Sequence, residues 1–239
     1  VIVLERTKTG IPGVDELLNG GIPTGSNVLV AGGAGTGKTI FTTQYLYNGA
    51  LQYGEPGVFV TLEGNVRDIA WNMESFQWDI KNLQDQGMFT IYRLGMEFIK
   101  DRTMLEDRLE EQLAEIKKEV EEIHAKRLVI DSTTVFGAYL EPSLLRTTLF
   151  KFCDQLKTMG CTTLLTSETQ PTKNSFSAFG VEEFVVDGIF ALYFSPPNRI
   201  LFVRKMRGTI HDKNPHPLDI TSKGIVVNAR DNIIWEAIK

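Results

Sequence analysis

Apolar positions along the chain keep two rhythms in turn. Short continuous runs fall at Asn27 to Ala31, Gly57 to Leu62, Met88 to Tyr92, Arg127 to Asp131, Cys161 to Thr166 and Gly188 to Phe194. They have the length and the β-branched content of buried strands. Between them, residues 40–49, 66–77, 105–124 and 143–159 repeat apolar side chains at intervals of three and four, the period of a helix with one buried face. Alternating strands and helices predict an α/β fold with a mainly parallel central sheet flanked by helices on both faces. Towards the end, Arg199 to Lys205 and Gly224 to Asn228 read as further strands separated by turns, which predicts antiparallel edge strands.

Segment 105–124 shows the helical rhythm most clearly. Leu105, Leu109, Leu113, Ile116, Val120 and Ile123 form its apolar stripe, and glutamates and lysines fill the rest. The stripe could be a coiled-coil seam for a partner. The favoured expectation is an amphipathic helix packed on the sheet with its charged face in solvent.

Composition narrows the class. The 239 residues suffice for one α/β domain with a full core, and no repeat or low-complexity tract divides them, so residues 1–239 are expected to form a single domain. No apolar run approaches the length of about 18 residues that a membrane span needs. The start, Val1 to Arg6, lacks both the basic-then-apolar order of a signal peptide and an initiator Met, so a trimmed chain acting in the cytoplasm is expected. Net charge is −5, which argues against a broad basic face for duplex DNA. Cys153 and Cys161 have no CxxC spacing and no neighbouring His, so buried reduced thiols are expected rather than a metal site.

The chemistry begins where the first strand ends. Gly32-Gly33-Ala34-Gly35-Thr36-Gly37-Lys38-Thr39 fits G-x-x-x-x-G-K-[ST] and lies between a predicted strand and a predicted helix. Glycines let the backbone curl and aim successive N–H groups at an anion, and the helix N-terminus adds to that field. Lys38 is placed to reach the β- and γ-phosphates of a nucleotide, and the Thr39 hydroxyl to ligate Mg²⁺. Arg127-Leu128-Val129-Ile130-Asp131 is an apolar strand ending in a carboxylate, where a parallel sheet places its ligands. Asp131 is the candidate second Mg²⁺ group; the alternative is a strand-end Asp capping a turn. Glu63 ends the strand Val58 to Leu62 and is the candidate base for an attacking water, or else an acid at the start of the next helix. Glu168 follows Thr166 at the same predicted edge. Lys205 and Arg207 are two apart and would share one strand face, either gripping phosphate or guarding a solvated edge strand.

Together these residues resemble the KaiC-like ATPases of the RecA superfamily along nearly the whole chain. Carrying the resemblance, in order, are Thr9-Gly10-Ile11-Pro12-Gly13-Val14-Asp15-Glu16-Leu17-Leu18 with Gly20-Gly21-Ile22-Pro23, the glycine loop, Val60-Thr61-Leu62-Glu63 and Val129-Ile130-Asp131-Ser132. Then come Thr166-Ser167-Glu168, Phe179 to Phe184, and Lys205-Met206-Arg207-Gly208-Thr209 with His211. The resemblance implies ATP/ADP and Mg²⁺ as ligands and a homo-oligomeric ring, a hexamer, with ATP between subunits. It implies that Lys205 and Arg207 reach a neighbour's γ-phosphate, that Thr209 and His211 line the same site, and that Glu63 is catalytic. Two departures stand out. Glu63 is followed by Gly64 where KaiC-type proteins often carry a second glutamate, which implies differently tuned hydrolysis. One glycine loop implies a single-domain relative, and autophosphorylation is not carried over.

The leading expectation is therefore an ATPase whose turnover is coupled to ring or partner state. The alternatives are a nucleotide-gated binding module for an unidentified protein partner, docking on 105–124, and a recombinase-like DNA-binding ATPase. The acidic charge disfavours the last.

Overall fold

A computed structural model describes residues 4–95, 105–168 and 176–234 of the chain. The start of the chain at residues 1–3, on which the expectation of a trimmed terminus bears, lies outside them. In chain order the elements are β1 (Arg6–Thr7), α1 (Val14–Leu17), β2 (Ile22–Pro23), β3 (Asn27–Gly32), α2 (Lys38–Tyr53), β4 (Gly57–Thr61), α3 (Val66–Glu74), α4 (Ile80–Asp85), β5 (Phe89–Arg93), α5 (Leu105–Glu122), β6 (Arg127–Asp131), α6 (Thr134–Tyr139), α7 (Pro142–Thr158), β7 (Thr162–Glu168), α8 (Glu182–Val185), β8 (Gly188–Ser195), β9 (Asn198–Met206), β10 (Pro215–Thr221) and β11 (Gly224–Val227).

One sheet organises the rest. Its order is β11-β10-β9-β8-β3-β7-β6-β4-β5. From β8 through β5 all neighbours are parallel, and β9, β10 and β11 add antiparallel strands on one side. The small ribbon of β1 and β2 stands apart. The expected fold class, a mainly parallel sheet with antiparallel edge strands, is the one observed.

The strand period of two sorts the core into two layers. Val28, Val30, Phe59, Val129, Leu164 and Phe190 face one side, where α2 covers them with Phe41, Tyr45 and Leu46. Leu29, Ala31, Val58, Val60, Leu128, Ile130 and Leu165 face the other, under the leucines of α5 and α7. With helices on both faces, every residue of β3 and β4 is buried, which is why these strands read as unbroken apolar runs. Helix α5 buries Leu105, Leu109, Leu113, Ile116 and Val120 against this layer, so the packed amphipathic helix is the form observed.

Boundaries differ in places. Helix α2 continues beyond Gly49 to Tyr53. Gly49 is not a stop but a close approach: a Cβ there would lie 2.3 Å from Nε of Arg127. The helix ends at Gly54, whose φ of 64° suits glycine. Strand β10 was not expected, because its prolines 215 and 217 hide it; both precede Leu218, where the ladder to β11 begins. Strand β9 stops at Met206, so Arg207 lies in the turn beyond and does not share a strand face with Lys205 as their spacing suggested.

Candidate functional site

Parallel register brings the strand ends into one line. Gly32 of β3 stands beside Glu168 of β7, and Thr61 of β4 beside Asp131 of β6. The glycine loop follows β3, Glu63 follows β4 by two residues, and all of them meet at the C-terminal edge of the sheet. A cavity of about 570 Å³ opens there, lined in part by Gly35, Lys38, Thr39, Glu63, Asp131 and Glu168.

The loop has the shape its letters suggest. Gly35 and Gly37 have φ of 74° and 99°, in the left-handed region that favours glycine. A Cβ on Gly32 would lie 2.6 Å from Thr36 Oγ1 and 2.7 Å from the Leu192 carbonyl, so that turn excludes any side chain. Lys38 opens α2 and donates from Nζ to the carbonyls of Gly32 and Gly33 at 2.7 and 2.9 Å. Burial pulls its ammonium below the usual lysine value, and the nearby Glu168 and Asp131 carboxylates oppose that fall.

Thr39 and Asp131, 92 residues apart in sequence, touch: Thr39 Oγ1 donates to Asp131 Oδ2 at 3.1 Å. Thr166 Oγ1 donates to the other oxygen, Oδ1. This fixes the carboxylate in a half-buried position beside the loop. A hydroxyl and one carboxylate of this kind are hard oxygen donors suited to Mg²⁺, which commonly takes one or two protein carboxylates and completes its shell with phosphate and water. The narrow glycine turn and this donor pair together fit a magnesium nucleotide.

Glu63 is exposed at the mouth of the cavity, and Ser132 Oγ donates to its Oε2 at 3.3 Å. It does not cap the next helix. Asn65 does, accepting the Arg67 N–H at 3.0 Å. Gly64 has its own reason to be glycine: its N–H donates to Thr61 Oγ1 at 2.8 Å, and a Cβ there would lie 2.9 Å from the same oxygen. The tight turn after Glu63 therefore leaves little room for a second glutamate. Glu168 is exposed, and its N–H donates to Thr134 Oγ1 at 2.9 Å.

The second constellation is elsewhere. Because β9 is antiparallel to β8, Met206 pairs with Gly188, and Gly188 in turn pairs with Val28 near the start of β3. Lys205, Arg207, Thr209 and His211 thus lie at the opposite edge of the sheet from the glycine loop, separated by the length of β3, roughly 16 Å at strand rise. There Lys205 Nζ donates to the carbonyls of Glu183 and Val186 at 3.1 and 2.7 Å. Burial and the neighbouring Arg207 pull its pKa down, against Asp187 and Glu183. Arg207 pairs with Asp187 at 3.4 Å and is 59% exposed, so it remains available to a second molecule. Thr209 Oγ1 accepts from Arg6 at 2.9 Å, and His211 Nδ1 is 2.6 Å from the Asp212 carbonyl. Within one chain, none of the four is brought to the loop.

Sequence reasoning missed Arg199. Its Nε donates to the Gly35 carbonyl at 3.1 Å, and its guanidinium lies 4.3 Å from the Phe194 ring centroid. Only the β8–β9 pairing, Phe194 opposite Arg199, brings it to the loop, and no local motif signals that. Cys153 and Cys161 are both free and buried away from this edge.

Fold and loop together define the class: an α/β protein of the RecA-like type carrying a phosphate-loop motif at the head of α2. A family model described as "ATPase: KaiC" matches residues 7–232, and the chain belongs to that family of ATP-binding and ATP-hydrolysing proteins. It is 42% identical over 237 residues to a UPF0273 protein of Thermotoga maritima, covering 94% of this chain and 96% of that one. It is 37% identical over 227 residues to the circadian clock oscillator protein KaiC of Synechococcus elongatus, covering 93% of this chain and 44% of the clock protein. The crystal structure of the KaiC-like protein PH0186 from Pyrococcus horikoshii OT3 matches it with a TM-score of 0.83 at 40% identity, covering 95% of this chain and all of that one.

Proposed function

We propose that residues 1–239 act as one Mg²⁺-dependent ATPase domain that hydrolyses ATP at the subunit interfaces of a homo-oligomeric ring, a hexamer, and so couples nucleotide state to a protein partner in the cytoplasm. The observation that carries the reading is the division of the site. Lys38, Thr39, Asp131 and Glu63 share one edge of the sheet, while Lys205 and Arg207 stand at the other, half-exposed. A head-to-tail contact between two copies joins the two edges, and such contacts close into rings. Exposed apolar side chains on the second edge, Phe184 and Ile210, support a contact there.

In this reading Gly33 to Lys38 cradle the phosphates through backbone N–H groups and the Lys38 ammonium. Thr39 and Asp131 would hold Mg²⁺, which when bound would neutralise phosphate charge. Glu63 orients a water for in-line attack and accepts its proton as the water oxygen bonds to the γ-phosphorus and the bond from that phosphorus to the bridging oxygen breaks, leaving ADP and inorganic phosphate. Lys205 and Arg207 of the adjoining subunit stabilise the charge on the transferring group, with Thr209 and His211 beside them.

Steady-state ATP turnover tests this directly. Glu63→Gln should lower kcat by about 10²- to 10⁴-fold with ATP affinity retained. Arg207→Ala should lower it by about 10³-fold or more. Equal, nonzero rates for wild type and Glu63→Gln would remove Glu63 as base. No turnover in any oligomeric state would leave a nucleotide-gated binding module instead.

A further inference from the structure

Of the two cations of the second edge, Lys205 lies in β9, while Arg207 belongs to a segment with no ladder of its own. Strand β9 ends at Met206, β10 begins at Pro215, and the chain between them carries Arg207, Thr209 and His211. Arg207 is tied to Asp187, through its N–H to the Asp187 carbonyl at 2.9 Å and through its guanidinium, and the N-terminal segment holds the residues that follow. Arg6 Nη1 donates to the Gly21 carbonyl and to Thr209 Oγ1, both at 2.9 Å, and Nη2 donates to the Gly208 carbonyl at 3.4 Å. Asn19 donates from Nδ2 to the Ile210 carbonyl. Asp212 N–H donates to the Leu17 carbonyl at 2.8 Å. Two side chains from the first twenty residues thus converge on three consecutive residues, Gly208, Thr209 and Ile210, between 191 and 203 positions later.

The Asn19 backbone adds to the case. Its φ of 53° is left-handed, a region asparagine enters more readily than most residues but which still selects the residue. In that conformation its amide reaches Ile210. The Arg6 guanidinium spreads its fixed fork over the Leu18–Gly21 turn on one side and Gly208–Thr209 on the other, a geometry that a lysine ammonium reproduces only in part.

We infer that Arg6 and Asn19 are positioning residues for catalysis: they hold the segment from Arg207 to Asp212 in the form that completes the neighbouring subunit's site. The inference rests on the in-trans reading above. Neither residue contacts the cavity of its own subunit. Their effect on rate runs through the placement of Arg207 and Thr209, where a displacement of about an angstrom can cost on the order of a hundredfold.

The test is turnover of co-expressed mixed rings. The reference mixture pairs Lys38→Ala, with a disabled loop but intact second edge, with Arg207→Ala. Turnover recovered to about a quarter of the wild-type rate, the share of correctly matched interfaces in a random ring, supports action in trans; no recovery overturns that reading and this inference with it. Arg6→Ala alone should lower kcat roughly 10- to 100-fold with KM for ATP within about twofold. Mixed with Lys38→Ala it should recover as the reference does; mixed with Arg207→Ala it should not, because both subunits then carry a faulty second edge. Arg6→Lys should restore part of the rate. Asn19→Gly, which suits the left-handed backbone and removes the side chain with its amide, should follow the same pattern with a smaller loss and guards against a folding defect in Arg6→Ala. Given recovery in the reference mixture, full activity of both Arg6→Ala and Asn19→Gly, or recovery when either is mixed with Arg207→Ala, overturns the inference.

Discussion

Single residues decide what the cavity edge accepts. Gly32 has no room for a Cβ, Gly64 has little, and the Asp131 carboxylate is pinned by one hydroxyl on each oxygen. The two thiols show the opposite case, residues whose chemistry the fold suppresses. Burial pushes the Cys153 thiol up to about 12 and Cys161 to about 11 from an ordinary value of 9.0. At pH 8 that leaves roughly one in ten thousand and one in a thousand ionised, and thiolate is the reactive form. Native protein should resist iodoacetamide at pH 8 and react once unfolded; alkylation at equal rates in both states would contradict the burial. The sign for stability follows. A raised folded pKa gives stability that is whole below pH 9 and is lost as pH rises towards 11 to 12, so a thermal melt should fall across that window.

At the scale of elements, β6 and α2 are locked by a buried guanidinium. Arg127 is fully buried, its Nη2 lies 2.6 Å from Glu55 Oε2, and its Nη1 donates to the Tyr45 carbonyl at 2.9 Å. Tyr45 and Tyr53 stack near it at 4.6 and 5.4 Å, and Gly49 gives it room. Glu55→Ala leaves a buried charge without its partner and should destabilise the protein by about 3 kcal/mol, read by denaturant titration. A change below about 0.5 kcal/mol would mean the pair is merely decorative. This clamp also explains what was legible beforehand. The parallel strands and α5 were readable because their apolar periodicity is dictated by two covered faces. The run of α2 past Gly49 was not, since the need for glycine there comes from an arginine 78 positions away. Strand β10 was hidden by two prolines. Of the cavity edge, the loop, Asp131 and Glu63 were legible because each sits at the end of a readable strand. Arg199 was not, since only cross-strand pairing delivers it to the loop.

For the whole molecule, the spacing of Lys205 and Arg207 said nothing about which end of the sheet they occupy. The antiparallel turn from β8 to β9 carries them away from the loop, and that reversal is what a single subunit's sequence conceals. On the proposed reading it also gives assembly a physical reason: only a second copy brings Lys205 and Arg207 to a loop edge. Arg207→Ala is expected to bind ATP with near wild-type affinity as an isolated chain yet to lose ATP-linked assembly, turnover or both, read by nucleotide titration, by mass determination with ATP, ADP and no nucleotide, and by steady-state hydrolysis.

The most direct measurement follows turnover per chain and particle mass together across a dilution series at saturating MgATP. If a neighbour completes the site, specific activity falls in step with the loss of the ring, and Arg207→Ala stays low at every concentration. A dilute monomer that hydrolyses ATP at the undiminished rate per chain would contradict the account.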